Sequence, residues 1–407
     1  MSRVMFGCFL GIFVFSISAC KTSQTGGEDV DLDGSVDSDV YDLDAEVRAD
    51  SEVLQDAAQI DAEPDPGPHS VGGNVSGLFG TGLVLQNNAG DDLAITENGS
   101  FVFSEQLPAG EPYSVTVLDH PDDPEQECVV EKGDGTVGYG PVTDVNVKCA
   151  LIDSDGDGIP DIADPFPDDD TKPVPGLMGM IYAHTSSTLY TMHPTTFEIE
   201  MVGSFSFDMN PGQVTDVALD QYNVLYACTF YDLFVCNPFT AACDHLASLG
   251  QSFNGLTLVP AGTVESYRDV IIGISNAGGW YRVDIVGEAA AELTLLGTYG
   301  SGYSSSGDAY SLKGVGTFAA VNKSGVSSDV IVEVDPANGA VLSEIGVTTG
   351  YNSLYGLAGT ENLMFGFDAS GAIISIDPIT GDTALVLSTP YAWWGAGIST
   401  APGPITH

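Results

Sequence analysis

The segment Ile374–Thr383 reads ISIDPITGDT, and close relatives of it occur four times upstream: VEVDPANGAV at Val332, YRVDIVGEAA at Tyr281, LFVCNPFTAA at Leu233 and LYTMHPTTFE at Leu189. Each is a strand running into a turn. The turn residues His193, Asn237, Asp284, Asp335 and Asp377 lie 44, 47, 51 and 42 residues apart. A second strand follows each turn, and then another recurring pattern: VTDVAL at Val214, FNGLTL at Phe253, LKGVGT at Leu312, LYGLAG at Leu354 and WWGAGI at Trp393. Small residues at the middle of these segments suit a crowded axis where several strands approach one another.

A repeat of 42–51 residues matches a four-stranded propeller blade, so residues 174–400 are expected to form five blades, followed by a tail at 401–407. The last inner strand has no complete blade after it, and the first turn has no inner strand before it. The C-terminal strand is therefore expected to complete the N-terminal blade. The pattern resembles five-bladed β-propellers in general.

Working outward, the remaining sequence is also rich in short Val, Ile, Tyr and Phe segments separated by Gly, Asn, Asp and Pro, which makes the chain all-β. Its 407 residues suggest two or three domains, and 43% hydrophobic residues are enough for packed cores. Asp and Glu number 57 against 10 Lys and Arg, a formal charge of -47, which repels phosphate backbones and argues against nucleic acid as a partner.

Residues 1–20, MSRVMFGCFLGIFVFSISAC, carry one early positive charge, an apolar stretch and small residues before Cys20, as an export signal does. Ile17-Ser18-Ala19-Cys20 resembles a bacterial lipobox, which implies acylation of Cys20 and a lipid anchor in the outer membrane or at the cell surface. Residues 21–70 are acid-rich and poor in core formers, and are expected to be a disordered tether. Within them Asp29–Asp37 matches a calcium-loop pattern of the kind acid-rich linkers generate by chance.

Seven short candidate strands between 71 and 150 predict a small β-sandwich, and GGNVSGLFGTGLVLQNN with NGSFVFSEQLPAGEPYSVTV resembles the transthyretin-like and Ig-like modules of exported bacterial proteins. Gly133–Gly138 spells GxGxxG, but no helix follows to receive a pyrophosphate. In the linker 151–173, DSDGDGIPDIADPFPDDD places hard oxygen donors at alternate positions around glycines, as calcium coordination requires. Pro160 and the missing glutamate at loop position twelve depart from an EF-hand. The spacing resembles a thrombospondin type-3 repeat, which implies Asp153, Asp155, Asp157, Asp161 and Asp164 as calcium ligands, with the carbonyl of Ile159 added. Bound calcium would neutralise the loop and stiffen the joint between the two folded units.

Apart from Cys8 and Cys20, five cysteines remain. Cys236 and Cys243 flank a hairpin turn, and Cys128 and Cys149 share the small sandwich, so two disulfides are expected with Cys228 left as a buried thiol. HExxH, GxSxG and Walker motifs are absent, and no enzymatic activity is expected. Alignment of the inner segments sets Thr215, Asn254, Lys313, Tyr355 and Trp394 at equivalent rim positions, with Asp216 the single acid nearby. The crossings between blades are rich in aromatic and small polar residues. Asn254, Tyr303, Lys313, Tyr355, Tyr391 and Trp394 are thus the expected ligand site, for a glycan or a protein. The competing expectation is a propeller hydrolase or lyase acting on extracellular polysaccharide, and a plain structural role in the envelope is a third.

Overall fold

The computed structural model describes residues 67–287 and 289–401, and among them every regular element is a strand. The export signal, Cys20, the Asp29–Asp37 pattern, nearly all of the tether and the tail after 401 lie outside the described residues.

The N-terminal region holds two four-stranded sheets. One runs Gly99–Pro108, Pro68–Ser76, Val142–Leu151, Gln126–Glu131; the other runs Asp91–Ala94, Val84–Asn87, Pro112–Asp119, Asp134–Thr136. Alternate residues point inward, so Phe101 and Phe103, Val145 and Val147, and Tyr113 and Val115 meet in one core. The Gly72-Gly73 pair lets Pro68–Ser76 run between its two neighbours: a Cβ on Gly73 would stand 1.8 Å from the Val145 carbonyl oxygen. The GxGxxG segment contributes the edge strand Asp134–Thr136, which pairs with Pro112–Asp119. Cys128 and Cys149 are cross-strand neighbours and form a disulfide.

Residues 181–397 build five four-stranded antiparallel blades. Their innermost strands are Val214–Leu219, Gly255–Val259, Tyr303–Leu312, Leu354–Gly359 and Gly395–Gly397, each contacting the next in a closed, propeller-like ring. Gly395–Gly397 pairs with Ile181–His184, so the chain's end does complete its first blade. Glycine is required there, because a Cβ on Gly395 would lie 2.3 Å from His184 Nε2 and 2.4 Å from Asp216 Oδ1. The outer strands of the second and third blades also touch through a short parallel pairing, Ala247 with Ala289 and Ser248 with Ala290.

The recurring turns lie where each third strand passes to the fourth. Asn237 Oδ1 accepts the amides of Phe239 and Thr240 at 2.9 and 3.1 Å, and Asp377 Oδ1 those of Ile379 and Thr380 at 2.8 and 2.9 Å. His193 Nδ1 accepts from Thr195 and Thr196, both at 3.2 Å, which makes it a turn residue. Asp284 departs from the pattern: its carboxylate binds Arg268 and Arg282 instead. Cys236 faces Cys243 in the second blade and forms the second disulfide, with Cys228 a buried free thiol.

One inner strand differs from expectation. LKGVGT is the turn between Tyr303–Leu312 and Gly316–Lys323; the inner strand of the fourth blade is the preceding polar segment around Ser305-Ser306-Gly307-Asp308. The register is interrupted between Ser305 and Ala309, and this bulge brings Asp308 into the axis.

Candidate functional site

At the end of the ring where the inner strands begin, a cavity of about 460 Å³ opens. Thr215, Asn254, Ser305, Ser306, Tyr355 and Trp394 line it from all five blades, because each stands at or just before the start of its inner strand. Phe230, Asn276 and Asn322 join from second strands and the turns after them, and Asn352 from the crossing into the fifth blade. The volume falls within the range of small-ligand sites, about 300–1,000 Å³. Asn254 Nδ2 donates to Ser305 Oγ at 3.3 Å, and Asn322 Nδ2 to the Ser305 carbonyl at 2.9 Å. Asn254 Oδ1 is buried and has no partner.

Of the expected ligand residues the structure therefore brings together Asn254, Tyr355 and Trp394, and three others lie elsewhere. Lys313 follows the C-terminal end of Tyr303–Leu312, roughly 20–25 Å along the strand from Ser305 at extended spacing. Its amide holds the Thr400 carbonyl at 2.8 Å, so its equivalence to Asn254 and Tyr355 does not stand. Tyr303 donates its hydroxyl to Glu344 beneath the Lys323 ammonium. Tyr391 packs against Tyr190 and Trp393, with ring centroids 4.7 and 5.4 Å away, as a wedge in the core.

Below the cavity the axis holds two acids rather than one. Asp216 and Asp308 are both fully buried, and burial pushes both carboxyls well above the ordinary range, with the charge of Asp308 raising Asp216 further. The two carboxyls meet at the axis, where burial favours the uncharged form of each. Their remaining capacity serves the backbone. Asp216 Oδ2 accepts the Leu256 amide at 2.7 Å, and Asp308 Oδ2 accepts those of Leu357 at 2.5 Å and Ala396 at 3.3 Å. Asp329 does the same for Leu354 at 2.7 Å. No strand ladder joins one inner strand to the next, and these carboxylates supply acceptors for inner-strand amides at the blade boundaries. Two glycosidase carboxyls stand about 5–9.5 Å apart around a substrate, whereas this pair touches and is covered. His184 donates Nδ1 to the Thr185 carbonyl at 2.8 Å, and burial lowers its pKa to about 4, leaving a neutral ring. Burial raises the Cys228 thiol to about 12, so it is no thiolate nucleophile at neutral pH.

The acidic loop forms a second centre. Asp153, Asp155 and Asp157 bring carboxylate oxygens within 4.8 Å of one another, with Gly156 and Gly158 in the left-handed conformation between them, at φ 82° and 96°. Asp155 Oδ2 and Asp164 Oδ2 are buried without partners, as donors awaiting a cation would be. Burial lifts the Asp164 carboxyl to about 6. Asp161 is turned to Ser154, accepting its amide at 2.7 Å and its hydroxyl at 2.6 Å. Ile159 gives its amide to Asp157 at 2.7 Å and buries its side chain against the second and third blades, flanked by Ala163 and Phe166. Arg268 grips the Ile162 carbonyl at 3.3 Å, and Lys172 pairs with Asp244 at 2.9 Å. The loop is thus seated on the blades along much of its length. The residues present fit calcium: oxygen donors only, closely spaced, with uncommitted buried oxygens.

No protein-family model matches this chain, and no curated protein does. Solved structures give distant likenesses. One is the symmetrical protein of a study of how such a protein emerges de novo under folding constraints, 12% identical over 55% of this chain and 99% of that one, TM-score 0.35. A protein of unknown function from Bacteroides caccae is 11% identical over 52% and 73%, TM-score 0.30. The WD40 domain of Neurospora crassa Pan2 is 9% identical over 54% and 65%, TM-score 0.30. Likenesses this remote say nothing of what the chain binds.

Proposed function

We propose that this chain is a lipid-anchored, calcium-binding protein of the bacterial outer membrane or cell surface, whose five-bladed β-propeller binds an extracellular glycan or protein at its axial mouth. The observation that carries this reading is the cavity to which all five blades contribute polar or aromatic side chains. A binding role is favoured over a hydrolase or lyase because the axial carboxylates touch one another and hold backbone amides, leaving none lining the cavity.

In this reading the two N-terminal sheets are an Ig-like or transthyretin-like sandwich, and Cys20 with the acidic segment after it forms anchor and tether. Calcium is held by Asp153, Asp155, Asp157 and Asp164, with Asp161 and the Ile159 carbonyl as further donors. Because Ile159 is seated in the blade core, the ion braces the second and third blades as well as the joint.

Glycan and protein arrays probed with and without calcium test the ligand reading, with Trp394→Ala and Tyr355→Ala as controls. Binding that both variants retain at full strength, while folded, refutes the mouth as the site. Radiolabelled fatty acid is expected to enter the wild-type chain and not Cys20→Ser; equal labelling of the two refutes the anchor.

A further inference from the structure

We propose that the axial mouth takes an uncharged oligosaccharide, a deepening that rests on the mouth being the ligand site. The first argument is charge. The chain carries 57 acids and 10 bases, yet none of the residues lining the mouth is ionisable at neutral pH. An anion would meet the repulsion of the whole molecule with no cation to hold it, and a bound cation would find no carboxylate in the wall. The acids nearest the axis lie under the floor, fully buried and tied to backbone amides.

The second argument is hydrogen-bond polarity. Four carboxamides face the cavity, those of Asn254, Asn276, Asn322 and Asn352. Two have one N–H spent on Ser305, which fixes the amide plane. Asn254 Oδ1 is turned into the wall and buried there, so Asn254 meets the cavity through the rest of its carboxamide. Carboxamides both donate and accept, and hydroxyl groups, which do the same without charge, are the ligand groups that match them.

The third argument is apolar. Trp394, Tyr355 and Phe230 stand among the amides, and Tyr355 and Phe230 keep 36% and 37% of their surface exposed. A pyranose ring has one face of C–H groups and a rim of hydroxyls, so it can stack on an aromatic ring while its edge reaches neighbouring amides. Amides, hydroxyls and half-exposed aromatic rings set together, with no charge, fit that chemistry.

The test is calorimetric titration of the full chain in calcium and a polyoxyethylene detergent, which lacks the sugar headgroup that would compete. The probes are neutral tetrasaccharides of glucose, mannose, galactose and N-acetylglucosamine, an oligogalacturonate, an oligoglucosamine and an uncharged extended peptide. At least one neutral tetrasaccharide is expected to bind, more than tenfold tighter than the charged probes. Trp394→Ala and Asn254→Ala should each weaken it at least tenfold and Lys313→Ala leave it unchanged, with near-ultraviolet circular dichroism confirming the fold. Tyr355→Ala serves where Trp394→Ala does not fold. A charged probe or the peptide binding best, with the same sensitivity to Trp394→Ala, would overturn the inference while leaving the mouth as the site. A neutral tetrasaccharide indifferent to Trp394→Ala and Tyr355→Ala would overturn both, and no heat from any probe at millimolar concentration would overturn the inference.

Discussion

Two groups of acids in this protein solve opposite problems. In the loop, Asp153, Asp155 and Asp157 are gathered by sequence alone, two residues apart; their oxygens converge while accepting amides of the loop itself, and Asp155 Oδ2 is left without a partner. At the axis, Asp216 and Asp308 are separated by 92 residues and fully buried; three of their four carboxyl oxygens accept backbone amides, most of them from neighbouring blades, and Asp308 Oδ1 has no amide or hydroxyl donor. The loop acids bond within one short, part-exposed segment; the axial pair ties together strands of different blades in the core. Clustered acids are thus no single signal, and what separates the two kinds is depth of burial and whether the amides they accept are local or come from distant strands.

The sharpest way to break this comparison is to remove an axial acid. Asp308→Ala leaves the Leu357 and Ala396 amides buried without an acceptor and should cost about 3–5 kcal/mol in chemical denaturation. Asp308→Asn keeps a carbonyl oxygen for those amides and places a neutral group where burial favours the uncharged form, so it should cost far less. If the two variants are equally destabilised at neutral pH, the carboxyl is needed as a charge and the contrast with the loop fails.

Stability against pH sharpens the same point through Asp329, which burial lifts to about 6 while it accepts the Leu354 amide. A carboxyl raised in the folded state binds its proton more tightly there than in the unfolded chain. Its contribution is full below about pH 4 and is lost as pH rises through about 6. A rise of about two units corresponds to roughly 3 kcal/mol. Melting profiles in saturating calcium should show Asp329→Asn gaining on the wild type between pH 4 and 7. Parallel profiles would mean that Asp329 titrates as an ordinary surface acid.

The loop should respond to the ion instead. At a hundredfold excess over the dissociation constant, calcium should stabilise the wild-type chain by about 2.7 kcal/mol. Asp155→Ala should weaken calcium at least tenfold by calorimetry and remove most of that stabilisation at the same calcium concentration. No calcium heat from the wild type at millimolar ion would leave the loop as acids without a purpose in binding.

The contrast also explains what the sequence made legible. The hairpin turns and the convergence of the loop acids could be read because their side chains act on partners a few residues away, so chemistry and spacing share one window. The fourth inner strand could not. Gly314 in LKGVGT precedes Asp335 by 21 residues, the same interval as Asp216 to Asn237 and Gly356 to Asp377, and so it mimicked an inner strand. The actual strand carries Gly307, 28 residues before Asp335, because the first hairpin of that blade is longer. Its SSSGDAYS does not look like core, since its serines face the mouth and its aspartate faces the axis. The 29-residue interval from Gly255 to Asp284 in the third blade was the available hint that the spacing varies. Losing this strand hid Asp308, and with it the axial pair.

The smallest effect belongs to polar groups whose partners are purely local, and Asn237 provides it without any charge. Its Oδ1 accepts the Phe239 and Thr240 amides at the exposed turn of the second blade, where solvent can replace what a mutation removes. Asn237→Ala should therefore cost only about 1 kcal/mol, and Asn237→Asp, which keeps the accepting oxygen, should cost less. Both turn strands are also tied by the Cys236–Cys243 disulfide, which holds the hairpin closed whatever residue 237 is. Denaturant midpoints measured with and without reductant separate the two restraints. The penalty of Asn237→Ala should grow once the disulfide is reduced, because the side-chain acceptor is then the turn's main local restraint. An equal penalty in both conditions would mean that the turn is held by strand pairing alone, and that even the most local polar contacts in this ring depend on its tertiary packing.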